Sequence, residues 1–243
     1  MFYSPVRFFV IDGGRDVKRK NTKTRLLDVA EEMFAQKGYA DTSMRALTGK
    51  AGANLAAVNY HFGSKEGLLQ AVLERRLLPL NLIRREGLEA VMHRANEAVQ
   101  LPHVRDLLQA FIEPALTLRK SGRGARAFIV IISRGISEPD PMVRATFINL
   151  VLPILRYFNE CLAAALPHLS PRELFWRFHF CMGAMTHVLH GMDKHEMFPP
   201  EMVPDDAGIV VEMLLHFLTA GMEVAPSPGL PATNAGCHCL AVD

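Results

Sequence analysis

Apolar residues return every three or four positions at Leu26, Val29, Ala30, Met33 and Phe34. That spacing predicts an amphipathic helix over residues 22–37, which Gly38 stops. Ser43 is placed to cap a second helix, on which Met44, Leu47 and Ala51 share one apolar face, and Gly52 supplies the turn after it. Asn54 caps a third helix whose start, Leu55-Ala56-Ala57, is small and flat. Ser64 caps a fourth, which runs past Leu78. Pro79 marks a kink or break in it, and the polar, arginine-rich stretch to Asn96 continues as helix.

Further along, Pro102 precedes a helix over residues 103–119, with Pro114 a kink, and Ser121-Gly122-Arg123-Gly124 is a loop. The run Phe128-Ile129-Val130-Ile131-Ile132 fits a strand or a buried helix by its pattern alone. No second strand candidate exists to pair with it, so a helix over 125–137 is expected. Glu138-Pro139-Asp140-Pro141 breaks the chain before a helix over 142–166. Ser170-Pro171 opens the next helix, to about Met192, which is apolar almost all round and must be covered on several sides. A last helix spans about 205–222, ended by Gly221. The fold class is therefore all-α. Residues 1–20 read as a flexible basic arm and 226–243 as a disordered Pro/Gly/Ala-rich tail.

Of the 243 residues, 49% are hydrophobic, enough for a substantial core. The net charge of +2 is uneven: residues 1–70 hold eleven Lys and Arg against seven Asp and Glu, and the remainder is slightly acidic. Arg15, Lys18, Arg19, Lys20, Lys23 and Arg25 cluster ahead of and within the first helix, as a solvated tail or as an arm for phosphates or a minor groove. No membrane-spanning run is expected, and Met1–Ile11 lacks the form of a signal peptide, so a cytoplasmic protein is expected. Cys161 and Cys181 sit in apolar helical runs as buried free thiols. Cys237-His238-Cys239 supplies too few metal ligands, and His187, His190 and Asp193 are weighed as a metal group and set aside. No Gly-rich nucleotide loop, nucleophile elbow or paired-histidine metalloprotease motif is present, so neither an enzyme nor a cofactor is expected.

Residues 24–69 resemble the DNA-binding domain of the TetR/AcrR family of bacterial transcriptional regulators. The resemblance rests on Ala30, Phe34, Gly38 and Tyr39, then Thr42-Ser43, Ala51-Gly52 and the run Asn59-Tyr60-His61-Phe62-Gly63-Ser64-Lys65-Glu66-Gly67-Leu68. Leu47-Thr48 and Gly49 depart from the family's usual pattern. The resemblance implies a helix-turn-helix domain over 21–68 and a helical effector-binding and dimerisation domain over 69–225. It implies phosphate contacts from Tyr60, His61 and Lys65. Thr42 and Ser43 add hydroxyls where the second helix offers free N–H groups to a phosphate. Arg45 is a candidate for guanine or an ordinary exposed residue; Asn59 is a candidate for adenine or a phosphate; Asn54, Leu55, Ala56 and Ala57 lie at the start of the reading helix, the last three able to touch a thymine methyl.

The family dimerises through its last two helices, matched by residues 172–192 and 206–222, and so reads pseudo-palindromic double-stranded DNA with half-sites about 34–36 Å apart or a multiple of that. The stretch Pro171 to Phe180 with Met182-Gly183-Ala184, and Ala220-Gly221-Met222, resembles the fatty-acid-responsive (PsrA-like) branch. That implies a repressor released by an apolar effector, a fatty acid or acyl thioester. The alternatives are a repressor answering another hydrophobic compound or drug, or a ligand-independent activator. Phe111, Phe128, Ile131, Ile132, Phe147, Leu150, Ile154, Trp176 and Phe180 are the candidate pocket residues, with Arg134 or His179 holding a carboxylate head.

Overall fold

Side-chain caps set most of the helix starts in the computed structural model, which describes residues 21–120, 122–135, 140–191 and 207–226. Asn21 accepts from the Thr24 N–H at 2.8 Å and opens α1 (Thr22–Lys37). Ser43 opens α2 (Met44–Lys50), Asn54 opens α3 (Leu55–Phe62), and Ser64 opens α4 (Lys65–Glu97). Each cap oxygen takes one first-turn N–H that the helix itself leaves unpaired. After them come α5 (Val104–Lys120), α6 (Arg123–Gly135), α7 (Pro141–Ala165, capped by Asp140), α8 (Pro171–Gly191) and α9 (Ala207–Glu223). Among the described residues all regular structure is helical.

Two expectations need correction. Pro79 does not break α4: it lies on an exposed face, where water can serve the carbonyl that its missing N–H leaves unpaired. Pro114 lies inside α5, within the helix that the sequence predicts. Gly221 does not end α9, which runs on to Glu223. The basic arm of residues 1–20 lies outside the described residues, as does the tail from 227 onward. Within the basic cluster, Arg25 is engaged inside the fold. Its Nε donates to the Ala51 carbonyl at 3.0 Å and an Nη to the Gly52 carbonyl at 3.3 Å, which fastens the turn after α2 to α1.

Two apolar clusters share the interior. One gathers Leu26, Ala30, Phe34, Leu47 and Val58 of the first three helices onto Leu69, Val72 and Leu73 of α4, and extends to Phe128, Phe147 and Val151. The other joins the second half of α4 to α5, α7, α8 and α9. Phe128 and Ile129, neighbours on α6, go to different clusters, 0% and 4% exposed. Consecutive helical residues point about 100° apart, so a helix wedged between two cores reads as an unbroken apolar run. Among the described residues α7 is the helix long and apolar enough to cross a membrane by length and composition, yet Phe147, Val151, Ile154 and Phe158 spend that apolarity on the two cores.

Ion pairs tie the helices together. Arg76 grips the buried Glu31 through two bonds of 2.8 and 3.1 Å, and Arg75 meets Asp28 at 2.8 Å, so α4 holds α1 by two adjacent arginines. Lys50 meets Glu32 at 2.9 Å and joins α2 to α1. At the other end of the molecule Arg177, buried on α8, donates to the carbonyls of Met222 and Val224 at 2.7 Å and of Ala225 at 3.1 Å. Glu173, one turn earlier and also buried, accepts from it at 2.6 Å. Arg177 thereby closes the carboxyl-terminal end of α9 and fixes it to α8. Arg177→Met should lower unfolding stability by about 3–5 kcal/mol, because it removes the ion-pair partner of the buried Glu173 carboxylate and the donor to three carbonyls at the end of α9, and a second change, Glu173→Leu, should restore part of the loss. Denaturant titration of both variants reads this directly.

Candidate nucleic-acid interface and apolar cavity

Val58, with no exposed surface, anchors α3 by its inner side. The rest of its start and outer side is open: Leu55 is 54% exposed and Tyr60 85%, and Ala56 and Asn59 are exposed too. That side of α3 presents one apolar leucine, one tyrosine ring, an alanine and an asparagine amide to solvent. The Tyr60 ring stands edge-on to the half-buried His61, centroids 4.9 Å apart. Gly63, at φ 75°, ends α3, a backbone shape few side chains tolerate. Gly67 is required for a different reason: a Cβ there would collide with the Phe62 carbonyl oxygen. The α3–α4 junction is thus closed as tightly as glycine permits.

Lys65 sits 4.3 Å over the Tyr39 ring and donates to the Ala40 carbonyl at 3.4 Å. The Tyr39 hydroxyl donates to Glu66 at 3.0 Å. Burial, and then this bond, push the Tyr39 hydroxyl above its ordinary pKa. Bonds from the Ser64 hydroxyl, the Glu66 backbone N–H and Tyr39 hold the Glu66 carboxyl below its usual range. Glu66 therefore stays ionised and fixes the start of α4 against the end of α1.

The sequence-chosen DNA residues divide by exposure. Ser43, Arg45, Asn54, Leu55, Ala56, Asn59 and Tyr60 are exposed; Ala57, His61 and Lys65 are half-buried. Thr42 departs from expectation. It is buried, and its hydroxyl donates to the Gly38 carbonyl at 2.7 Å, so it holds the turn before α2 instead of facing a phosphate. The Asn54 side chain is spent on the Ala57 N–H at 2.9 Å as a cap.

An apolar cavity opens between α4, α5, α6, α7 and α8. The cavity is narrow, about 60 Å³. Phe111 and Phe147 line it, as the sequence suggested. Ile154 lies in the second core, Phe128 in the first, and Ile131 and Leu150 pack partly buried against the first. The side chains of Ile132 and Arg134 lie outside the described residues. Trp176, His179 and Phe180 are corrected: they are exposed on the far side of α8, Trp176 by 51% and Phe180 by 67%. Apolarity all round α8 hid which side faces inward, and Met182, Met185, Thr186 and Leu189 are the α8 residues at the cavity.

The signal that was missed is Arg84. Leu77, Leu80, Arg84, Leu88 and Val91 follow helical spacing, so an arginine interrupts an apolar stripe, and it is buried at the cavity wall. Elsewhere Cys161 and Cys181 are buried free thiols, and burial pushes the Cys181 thiol up to about 11, far from reactivity. Among the described residues no group of three His, Cys, Asp or Glu is placed to hold a metal; Asp193 and Cys237-His238-Cys239 lie outside them.

A helix-turn-helix seated on a helical body with an internal cavity defines a class of DNA-binding regulator. Residues 26–72 match the tetR family of bacterial regulatory proteins, and residues 109–221 match the tetracyclin repressor-like C-terminal domain. The uncharacterized HTH-type transcriptional regulator TtgW of Pseudomonas putida is 35% identical over 104 residues, 40% of this chain and 77% of that one. The HTH-type transcriptional regulator UidR of Escherichia coli is 28% identical over 120 residues, 49% of this chain and 54% of that regulator, so the match spans about half the relative's length. The fold is also that of the transcriptional regulator FadR from Bacillus subtilis, crystallised in complex with stearoyl-CoA. The TM-score is 0.62 at 12% identity, over 82% of this chain and 98% of that one. The chain belongs to the TetR family of transcriptional regulators.

Proposed function

We propose that this protein is a dimeric repressor that leaves a pseudo-palindromic operator when an apolar effector enters the cavity. Residues 21–68 read DNA and residues 69–225 bind effector and pair two copies. The exposed face of α3 reads base edges, while Tyr60, His61 and Lys65 meet phosphates. The copies pair through α8 and α9, whose outer faces bear Trp176 and Phe180, and Ile209, Met213 and Phe217, all at least half exposed. A cytoplasmic location follows from that role.

One observation carries the proposal. Phe147 and Val151 line the cavity and also belong to the core on which α1, α2 and α3 rest. An occupant that shifts α7 therefore shifts the seat of the reading helix. Two conformations with different spacing between reading helices differ in affinity for one operator, and only that difference releases DNA.

The effector is a fatty acid or acyl thioester. FadR from Bacillus subtilis was crystallised with stearoyl-CoA, and an apolar cavity suits the same kind of chain. The narrowness of the cavity favours a second reading, a smaller hydrophobic compound, since pockets for drug-sized ligands typically hold about 300–1,000 Å³. Selection of bound sequences from random double-stranded DNA should return a palindrome. Gel shifts on that DNA should then weaken with fatty acids or acyl-CoA; retention of the complex with every lipid, and release by a compact hydrophobic compound, selects the second reading.

A further inference from the structure

Among the described residues, the cavity wall carries one charge without an ionic partner. Arg84 is 6% exposed. Its Nε donates to the Phe111 carbonyl at 2.9 Å, and its guanidinium lies 4.1 Å over the Phe111 ring. Phe158 stacks on that ring at 4.2 Å, so the guanidinium plane is held by a rigid support. No carboxylate among the described residues meets it. The nearby arginines of α4 are engaged elsewhere: Arg75 with Asp28, Arg76 with Glu31 and Arg85 with Glu89. The Nη groups of Arg84 have no acceptor among the described residues, and the side chain lines the cavity. Burial lowers the arginine's pKa to about 9, which leaves it charged at neutral pH.

A buried charge without a counter-ion is costly, and proteins ordinarily pair it. The rest of the lining offers nothing to pair it with. It is leucine, methionine, phenylalanine and small aliphatic side chains, plus Thr186, whose hydroxyl is committed to the Met182 carbonyl at 2.8 Å. A cation fixed against an otherwise oily wall is complementary to an anion with an apolar body. Arginine's planar fork matches a carboxylate through two parallel hydrogen bonds.

We infer that Arg84 is the anchor for the head group of the effector, a free carboxylate on an apolar body, bound with its charge inside the cavity. The inference rests on the cavity being the effector site and names the chemistry of that effector. A thioester presents a neutral carbonyl where the carboxylate would be, and its charges lie on a carrier too large for this space. The unbranched side chains of Met182 and Met185 give way as the chain enters.

Calorimetric titration of the full-length protein with decanoate, decanol, methyl decanoate and decanoyl-CoA tests the inference. Decanoate should bind about ten- to a hundredfold more tightly than decanol or the ester, the worth of a hydrogen-bonded charge pair. Arg84→Met should bind decanoate and decanol alike, and Arg84→Lys should keep part of the preference. Equal affinity of the wild-type protein for decanoate and decanol overturns the role of Arg84 and leaves an apolar effector in place. Tighter binding of decanoyl-CoA than of decanoate overturns the free-carboxylate assignment alone. Binding of none of the four removes the lipid effector together with its anchor. The wild-type comparison decides even if the Met variant does not fold.

Discussion

Phe217→Asp is expected to yield a monomer in size-exclusion chromatography with light scattering, with its helix content intact. Phe217 is 70% exposed on α9 and Met213 64%, while Leu214, Leu215 and Leu218 on the other side of the same helix are buried. The change therefore spares the core. In a two-fold dimer each substitution occurs twice, and two carboxylates enter an apolar seam with no partner. Burying a large apolar side chain contributes about 1.5–3 kcal/mol, so the paired loss is large against the free energy of a micromolar dimer. A monomer holds one reading helix and loses the gain from joining two half-sites, roughly a hundredfold or more in operator affinity. A dimer that persists in Phe217→Asp and in Phe180→Asp would place the subunit contact elsewhere.

Gly67→Ala is expected to cost operator affinity at least about tenfold and stability about 1–3 kcal/mol. The added methyl meets the Phe62 carbonyl oxygen, which is backbone and has no flexible end to yield. The junction can accept it only by turning α3 away from α4, and α3 bears the open face with Leu55, Asn59 and Tyr60. Gly49→Ala serves as the contrast. Nothing lies within 4 Å of a Cβ at that exposed position in α2, so alanine there should stabilise by up to about 1 kcal/mol. Thermal unfolding and gel shifts of the two variants side by side separate a misplaced reading helix from a general sensitivity of the domain.

The helix starts were legible because the information is local. Ser43, Asn54, Ser64 and Asp140 are short polar residues ahead of apolar periodicity, and each caps as such residues do. The interior of a helix was harder where the answer lay across space. Pro79 and Pro114 signal strain, but the sequence does not reveal whether solvent or a neighbour accepts the freed carbonyl. Trp176, His179 and Phe180 carried the right apolarity for the wrong side of α8, since periodicity counts faces without ordering them inward and outward. Arg84 was readable as an intruder in an apolar stripe and was passed over among its exposed arginine neighbours. Arg177 had a local hint, Glu173 four residues earlier, but the carbonyls it closes lie more than forty residues downstream. Of the proposed DNA contacts, Tyr60, Asn59 and Leu55 are exposed, whereas Thr42 is buried, its hydroxyl bonded to the Gly38 carbonyl at the turn after α1.

The split allegiance of Phe128 and Ile129 makes α6 a shared axle. Adding or deleting one residue just before Phe128 would spin the rest of the helix by about 100°, turning each of these two side chains off the core it fills. Loops elsewhere tolerate changes of length, but this segment keeps its register as a gear keeps its teeth, and natural or engineered variation of the chain must be sought outside it.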